Sequence, residues 1–220
     1  MNKFFRTILM SCVLVISVSM ASAQPFIDDI RAFKIQDSIQ APTKHSILFV
    51  GSSSFTKWKD VADYFPGYTI INRGFGGSTL QDVIRYADDV IFPYQPKQIV
   101  IYCGENDLAS SDTVTAQIDF SRFKKLYAMI RAKMPTTPVD FISLKPSPSR
   151  AHLKAKAVES NRLIKNYISK QKNTAFIDVY HPMLNPDGKP KPEIYIEDSL
   201  HMNAKGYVIW QKIIQPYLVK

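Results

Sequence analysis

Four short polar segments of this chain contain residues that could attack a substrate, stabilise negative charge or transfer a proton. They are Gly51-Ser52-Ser53-Ser54, residues 72–79, Gly104-Glu105-Asn106-Asp107 and Asp198-Ser199-Leu200-His201. A serine hydroxyl becomes a nucleophile when a neighbouring base takes its proton. Backbone N–H groups and side-chain amides can stabilise the negative charge that then develops. The segments can cooperate only if the fold brings them to one place.

Ser53 lies where a predicted strand meets a predicted helix. The side-chain hydroxyl of a serine at such a turn lies above the sheet edge, and the backbone N–H of the same residue faces the same space as the helix N-terminus. A serine in this loop could instead cap the predicted helix Phe55–Phe65. The segment by itself leaves both roles open.

The second and third segments offer hydrogen-bond donors. Gly74, Gly76 and Gly77 allow a close approach of the backbone to a ligand. They do not form a dinucleotide fingerprint, because the third glycine position is Thr79 and the loop follows the second strand. The Asn106 amide could be a neutral donor, or it could form an Asx-turn or cap the next helix.

Asp198 and His201 have the spacing of a carboxylate and a histidine that meet within one turn. Such a carboxylate can hold Nδ1–H and leave Nε2 free to accept a proton. The alternative is a capping aspartate beside an incidental surface histidine. Asp178 and His181 have the same spacing and are the rival candidates for the base. That pair follows the last predicted strand and would need a different loop to reach Ser53.

The elements that position these segments alternate between short apolar runs and helical patterns, which is typical of an α/β protein with a parallel sheet. Strands buried on both faces read as continuous apolar runs, and the active sites of such sheets lie at the carboxyl ends of the strands. The predicted strands are Ser46–Val50, Tyr68–Ile71, Gln98–Cys103, Val139–Leu144 and Thr174–Val179. The predicted helices are Phe55–Phe65, Leu80–Ala87, a long helix ending before Pro135, Ala151–Lys172 and a last helix from Ala204.

Serine, glycine, asparagine and Asp-x-x-His follow strand ends in this order, and the arrangement resembles the SGNH hydrolase superfamily. The resemblance extends from Ile47 to the C-terminus. It implies a three-layer α/β/α, flavodoxin-like fold with a five-stranded parallel sheet. The implied activity is that of a serine esterase. Ser53 would be the nucleophile of its catalytic triad, with Asp198 and His201.

The same resemblance assigns an oxyanion hole to the N–H groups of Ser53 and Gly77 and to the Asn106 side chain. The chain departs from the family pattern at Ser52, where aspartate usually precedes the nucleophile. Gly-Ser-Ser-Ser followed by Trp58, with the segment Lys145-Pro146-Ser147-Pro148-Ser149-Arg150, resembles a bacterial subgroup. Its members are described as lipase/acylhydrolase-like or similar to platelet-activating-factor acetylhydrolase subunits.

The substrate implied by this resemblance is a glycan, lipid or small-molecule ester. A short acyl group such as acetyl is favoured, because no long apolar lid insertion lies between the motifs. Lys145 or Arg150 is expected to contact the substrate or to fix the loop after the fourth strand. The alternative function is a catalytically inactive envelope carbohydrate-binding module on the same fold. An envelope scaffold would leave the four segments unexplained.

Residues 1–23 have the pattern of a signal peptide. Lys3 and Arg6 precede the apolar run Ile8–Val18, and Ala21-Ser22-Ala23 supplies the small residues before the cleavage site. A lipoprotein would use Cys12, but the apolar run continues past it. We therefore expect an exported protein, periplasmic or extracellular, without stable membrane insertion. Residues 24–220 have the size of a single domain.

The charge, the cysteine content and the distribution of possible metal ligands bear on the partners and cofactors of the chain. The net charge is +9, and removal of Lys3 and Arg6 leaves +7. The lysines are spread along predicted amphipathic helices without interleaved aromatics, which argues against nucleic-acid binding. Cys103 would be the single cysteine of the mature chain, and its apolar surroundings favour a buried thiol. No His, Cys and carboxylate set has metal-ligand spacing, so neither metal nor cofactor is expected.

Overall fold

A computed structural model describes residues 24–220. The predicted signal peptide, including Cys12, lies outside the described residues. Within them, five parallel strands form one sheet in the order β2-β1-β3-β4-β5. The strands are β1 Ile47–Gly51, β2 Ile70–Gly74, β3 Gln98–Tyr102, β4 Val139–Ile142 and β5 Thr174–Ile177. This is the order of a flavodoxin-like sheet, so the predicted fold class is confirmed.

The helices of the described chain flank this sheet. They are α1 Ile27–Ile39, α2 Ser53–Thr56, α3 Val61–Tyr64, α4 Leu80–Arg85, α5 Ala87–Val90, α6 Glu105–Ala109, α7 Ala116–Lys133, α8 Lys154–Ile168 and α9 Ala204–Ile214. A short 3₁₀ segment, Pro148–Leu153, precedes α8.

The side chains of the interior strand β1 alternate between two hydrophobic cores. Leu48 and Val50 belong to the core that contains buried residues of α4, α7 and α8. Ile47 and Phe49 belong to the opposite core, which includes Trp58 and residues of α9. Because successive side chains of a strand point to opposite faces, one apolar strand supplies both cores. The result is the expected three-layer arrangement.

The carboxyl ends of the three adjacent strands β2, β1 and β3 are held in register. Gly51 at the end of β1 pairs with Gly74 of β2 and with Tyr102 of β3. The loops that leave these strands therefore start side by side. Three of the polar segments found in the sequence follow these positions.

The predicted helix Phe55–Phe65 is wrong, because the chain forms two short helices there, α2 and α3. The Asn72 side-chain amide donates to the backbone carbonyls of Phe55, at 2.8 Å, and of Trp58, at 3.2 Å. Each of these carbonyls also accepts a backbone N–H from three residues ahead, that of Trp58 and that of Val61, so tight turns replace the i+4 bonds of one continuous helix. Trp58 is fully buried and stacks on Tyr207 of α9, with ring centroids 4.6 Å apart.

Other element boundaries differ from the predictions in ways that bear on the site. Strand β2 continues through Gly74, so residues 72–74 belong to the strand. The predicted helix Ala151–Lys172 begins at Lys154, because the proline-rich segment before it adopts 3₁₀ geometry. Helix α1 was not predicted, since only one of its side chains, Ile30, is buried and the apolar pattern is correspondingly weak.

Cys103 is buried directly after β3, as the sequence predicted. Its thiol donates to the backbone carbonyl of Ser78 at 3.6 Å. Burial raises the pKa of this thiol well above its ordinary value. The group therefore remains a neutral packing residue beneath the loop after β2.

Gly51→Ala tests how tightly the end of β1 is constrained. Gly51 has φ +144°, and a Cβ atom there would lie 1.9 Å from the Tyr102 carbonyl oxygen. We expect the free energy of unfolding to fall by about 4 kcal/mol or more, because backbone must move. Urea unfolding followed by the fluorescence of Trp58 and Trp210 measures this change.

Gly67→Ala is the matched control. Gly67 also has positive φ, +85°, but its Cβ would meet nothing within 4 Å. It should lose only about 1–2 kcal/mol from the backbone conformation. Equal losses in the two variants would show that the contact with Tyr102 is not the constraint.

Candidate active site

The loop after β1 presents Ser53 as the first residue of α2. Ser52 occupies the N-cap position, but its hydroxyl makes no capping hydrogen bond. Instead, the Ser52 N–H donates to the Tyr102 carbonyl at 3.0 Å, and the Ser52 hydroxyl faces Asn106. Ser53 is half-buried, and its hydroxyl has no hydrogen-bond partner within residues 24–220. The capping interpretation therefore does not describe these two serines.

The loop after β2 is bonded to the end of β1. The Phe75 N–H donates to the Gly51 carbonyl at 2.9 Å, and the Ser78 hydroxyl donates to the same oxygen at 3.2 Å. Gly77 between them is exposed and has φ +86°, a conformation that favours glycine. These contacts hold Gly77 in the loop adjacent to the serine segment.

Asn106, in the first turn of α6, joins three loops through its side-chain amide. Its Nδ2 donates to the Ser52 Oγ at 2.7 Å and to the Ser78 carbonyl oxygen at 3.0 Å. Its Oδ1 accepts from the Arg150 guanidinium at 2.8 Å. The segments that follow β1, β2 and β4 therefore converge on one amide group. The Asx-turn alternative does not describe this side chain, whose partners are distant in sequence.

Asp198 and His201 form the predicted pair. The Asp198 Oδ2 lies 2.6 Å from the His201 Nδ1, while its Oδ1 accepts from the N–H groups of Leu200 and His201. Burial raises the pKa of Asp198, but the hydrogen bonds from His201 and Leu200 outweigh it and lower the pKa to about 2. The carboxylate is therefore ionised at neutral pH and holds the imidazole by Nδ1. The Nε2 side of the ring remains available for proton transfer.

Asp178 and His181 form a pair of nearly the same local geometry, with Oδ2 and Nδ1 2.7 Å apart. The surroundings differ. The His181 side chain is 75% exposed, whereas the His201 side chain is 16% exposed. His181 lines a surface cavity with residues of α8 and β5, and none of the serine, glycine or asparagine segments lines that cavity.

The loop that carries His201 is tied to the other segments. The Ser199 carbonyl accepts from the Ser149 N–H at 3.1 Å, next to Arg150. Helix α9 begins three residues after His201. Its Tyr207 hydroxyl donates a hydrogen bond to the Ser54 carbonyl at 2.8 Å. The tertiary contacts of the described chain therefore associate this pair, and not the rival, with the serine segment.

Lys145 is enclosed beneath the surface. Its side chain is 1% exposed, and its Nζ donates to the Glu105 Oε2 at 2.7 Å and to the Ser147 Oγ at 2.8 Å. Burial lowers the pKa of Lys145, and the Glu105 carboxylate opposes this effect. Burial raises the pKa of Glu105, but the charges of Lys145 and Arg150 outweigh it and lower the pKa overall. The arrangement favours the loop-fixing role among the two expected for Lys145.

Arg150 is more accessible than Lys145, with 19% of its side chain exposed. It bonds Asn106 and also lines a small cavity whose walls include Leu108, Leu153 and Leu184. Arg150 is thus the one of the two basic residues that touches a predicted site residue directly.

Asp107 has a positioning role that the sequence reasoning missed. It is fully buried, accepts from the Leu80 N–H at 2.8 Å and pairs with Arg122 at 2.7 Å. Burial raises the pKa of this carboxyl, and Arg122 and the Leu80 N–H oppose that effect. The carboxylate fastens α6 to the start of α4, which follows the glycine loop. The position of this acidic residue directly after Asn106 was the feature of the sequence that could have indicated its role.

Two further properties of the described chain bear on its chemistry. Among residues 24–220, no group of three or more His, Cys, Asp or Glu side chains is arranged to hold a metal ion. No helix of the same part combines the length and apolar composition needed to cross a bilayer.

Comparison with known proteins identifies the family. The family model for GDSL-like lipases and acylhydrolases matches residues 37–209, which is most of the chain. The chain belongs to the GDSL-like lipase/acylhydrolase family. It is thus a hydrolase of this type, as the sequence predicted. No curated protein sequence matches it.

Solved structures similar to this GDSL-like hydrolase support the same fold. A proposed acylhydrolase from Bacteroides fragilis is 24% identical, with a TM-score of 0.71 over 83% of this chain and 92% of that one. A GDSL-like lipase from Bacteroides thetaiotaomicron is 23% identical, with a TM-score of 0.70 over 86% and 96%. A mutant acetyl-xylooligosaccharide esterase from Geobacillus is 12% identical, with a TM-score of 0.64 over 80% and 94%.

Lys145→Ala tests the buried ion pair of this GDSL-like hydrolase. Removing the ammonium takes away the closest cation of the Glu105 carboxylate and leaves Arg150 at 3.9 Å, so we expect a loss of about 3 kcal/mol of unfolding free energy, the lower end for a broken buried pair. Urea unfolding at neutral pH measures the loss. Lys205→Ala, an exposed lysine on α9, is the matched control and should change stability by no more than about 0.5 kcal/mol.

The same variant has a pH signature. The folded-state pKa of Glu105 lies below its ordinary value of 4.5. The ionised Glu105 therefore contributes fully to folding stability above pH 4.5, and this contribution is lost as the pH falls through the lowered pKa. The difference between wild type and Lys145→Ala should therefore shrink in acid. A difference that grows as the pH falls would contradict the ion-pair assignment.

Proposed function

We propose that this chain is a serine esterase that removes a short acyl group, such as acetyl, from a glycan, lipid or small-molecule ester. Ser53 is the nucleophile, His201 the general base and Asp198 the residue that orients the imidazole. The N–H groups of Ser53 and Gly77 and the Asn106 amide form the oxyanion hole.

The observation that carries this proposal is the convergence of loops on Asn106. Its amide contacts Ser52, directly before the proposed nucleophile, and Ser78, directly after the proposed oxyanion glycine. Two of the three proposed donors are therefore backbone N–H groups of residues next to Ser52 and Ser78, and the third is the side-chain amide that joins them. The ionised Asp198, bonded to His201, supplies the remaining part of a triad.

In the acylation step, His201 Nε2 takes the Ser53 hydroxyl proton as Oγ bonds to the ester carbonyl carbon. The carbonyl oxygen becomes an oxyanion and accepts hydrogen bonds from the Ser53 and Gly77 N–H groups and from the Asn106 N–H that is released from the Ser52 hydroxyl. The tetrahedral intermediate then collapses. The bond to the alcohol oxygen breaks, His201 returns its proton to that oxygen, and an acyl-serine remains.

In the deacylation step, water attacks the acyl-serine. His201 takes a proton from this water as its oxygen bonds to the acyl carbon, and the same oxyanion site stabilises the second intermediate. Cleavage of the bond to Ser53 Oγ returns the proton to serine and releases the carboxylic acid. Asp198 remains ionised throughout and stabilises the imidazolium.

A short acyl group is supported by the chain and by one structural neighbour. No long apolar insertion between the motifs is available to cover an aliphatic tail. One solved structure of similar fold, 12% identical to this chain, is that of an acetyl-xylooligosaccharide esterase, and this likeness supports the proposal of a short acyl group.

The proposal includes export from the cytoplasm. Lys3 and Arg6, the apolar run Ile8–Val18 and Ala21-Ser22-Ala23 together have the pattern of a cleaved signal. The natural ester would then be encountered in the periplasm or outside the cell.

Ser53→Ala tests the nucleophile. We expect wild type to hydrolyse p-nitrophenyl acetate and the variant to lose activity by about 10⁴-fold or more, because no acyl-enzyme can form. Release of p-nitrophenol measures both rates. Wild type should also prefer the acetate to p-nitrophenyl octanoate.

Ser110→Ala is the control for this test, since Ser110 lies at the end of α6 and its hydroxyl bonds only to the Asp107 carbonyl. It should retain wild-type activity. An inactive wild type would favour the binding-module alternative, and an active Ser53→Ala would refute the assigned nucleophile. A preference for octanoate would contradict the short acyl group alone.

His201→Ala and His181→Ala separate the two Asp-x-x-His pairs. We expect the first variant to lose about 10⁴-fold or more in kcat, because the general base is absent. The second should keep wild-type kcat, because its imidazole faces solvent beside α8. The same p-nitrophenyl acetate assay compares them. The reverse pattern would assign the base to His181.

A further inference from the structure

Arg150 lies at a position that the proposed mechanism does not use. It follows β4, in the 3₁₀ segment before α8, and its Nη2 donates to the Asn106 Oδ1 at 2.8 Å. Asn106 is the side-chain donor of the proposed oxyanion hole. The guanidinium therefore acts on the opposite end of the amide whose N–H groups face Ser52 and Ser78.

The amide of Asn106 needs partners that distinguish its two ends. Rotation by half a turn about its last side-chain bond exchanges Oδ1 and Nδ2, and the two orientations have similar intrinsic energies. Ser52 does not distinguish them, because a hydroxyl can donate or accept. The Ser78 carbonyl accepts only, and Arg150 donates only. These two contacts together fix Nδ2 towards the serine segment.

Arg150 also affects the strength of the donor. A cation bonded to the carbonyl end of an amide draws electron density from the nitrogen, so its N–H groups become stronger donors. The positive charge lies one amide away from the place where negative charge would develop. Both effects favour the transition state more than the uncharged ester.

A buried network holds Arg150 in place. Its Nη1 lies 3.9 Å from the Glu105 Oε1, which also accepts from the Ser147 hydroxyl at 2.5 Å. The other carboxylate oxygen, Oε2, accepts from the Lys145 ammonium and from the Tyr102 hydroxyl, both at 2.7 Å. Lys145 and Arg150 share this one carboxylate, so the Arg150 guanidinium is held beside Asn106 without a full neutralising partner of its own.

We infer that Arg150 is a positioning residue that orients and polarises the Asn106 amide for oxyanion stabilisation. The inference rests on the proposed esterase function and extends it by a residue outside the four motifs. It also assigns Glu105, Lys145 and Ser147 to the support of Arg150.

A double-mutant cycle tests this inference on p-nitrophenyl acetate. Arg150→Ala should lower kcat by about 10- to 100-fold and leave KM nearly unchanged, since the affected bond matters most in the transition state. Asn106→Ala should lower kcat by about 10²–10³-fold. The double variant should be hardly slower than Asn106→Ala, because Arg150 acts through the missing amide.

Two further variants keep the test informative. Arg150→Met retains the length of the aliphatic stem but lacks the guanidinium, so it should show the same loss in kcat that is expected for Arg150→Ala. It replaces the alanine variant if that variant is too unstable to assay. Arg162→Ala removes an exposed arginine of α8 that pairs with Glu159, and it should keep wild-type kcat. Guanidinium ion added to Arg150→Ala should restore part of kcat, but it should not do so in the double variant.

The outcomes separate this inference from the proposed function. Multiplicative losses in the double variant, or an effect of Arg150→Ala on KM alone, would overturn the positioning role while Ser53→Ala remains inactive. Wild-type activity in Arg150→Met would do the same. An inactive wild type or an active Ser53→Ala would instead refute the esterase proposal on which the inference rests.

Discussion

The side-chain amide of Asn106 is the contact on which the arrangement of the site depends. It is bonded to the Ser52 hydroxyl, the Ser78 carbonyl and the Arg150 guanidinium, and each belongs to a different loop. A parallel sheet brings the carboxyl ends of its strands to one edge, but it does not fix the loops relative to one another. One amide with a donor end and an acceptor end supplies that constraint.

Ser52 has a clear part in this contact. The family pattern usually has aspartate before the nucleophile, whereas this chain has a hydroxyl that receives an Asn106 N–H at 2.7 Å. A carboxylate can only accept, and it would add negative charge near the site. A hydroxyl is neutral and accepts the same bond. Position 52 therefore adds no negative charge beside the Arg150 guanidinium and the Asn106 amide.

Buried ion pairs beneath the loops hold the loops of the site in place. Glu105 is paired with Lys145, and Asp107 is paired with Arg122 and bonded to the start of α4. Burying a charge is costly, and such a group is retained stably only with a close partner. Each partner comes from a distant element, so separation of the elements would leave a buried charge unpaired. The cost of that state resists local opening of the loops.

The sequence by itself determined the α/β class, the five parallel strands and the segments at their carboxyl ends, because apolar runs and strand-end motifs are local patterns. It predicted the Asp198–His201 contact for the same reason, since three-residue spacing closes within one turn. The identical spacing of Asp178 and His181 gives nearly the same contact. Local geometry therefore could not choose between the two pairs.

Only the tertiary structure decided what depends on distant partners. Asn72 bonds the carbonyls of Phe55 and Trp58 and divides a helix that the local pattern predicted as continuous. Lys145 is buried because Glu105 of another loop meets it, and Arg150 reaches Asn106 across the sheet edge. These contacts join residues between 14 and 44 positions apart in the sequence. Their energies arise from desolvation and pairing in the folded core, which no sequence window contains.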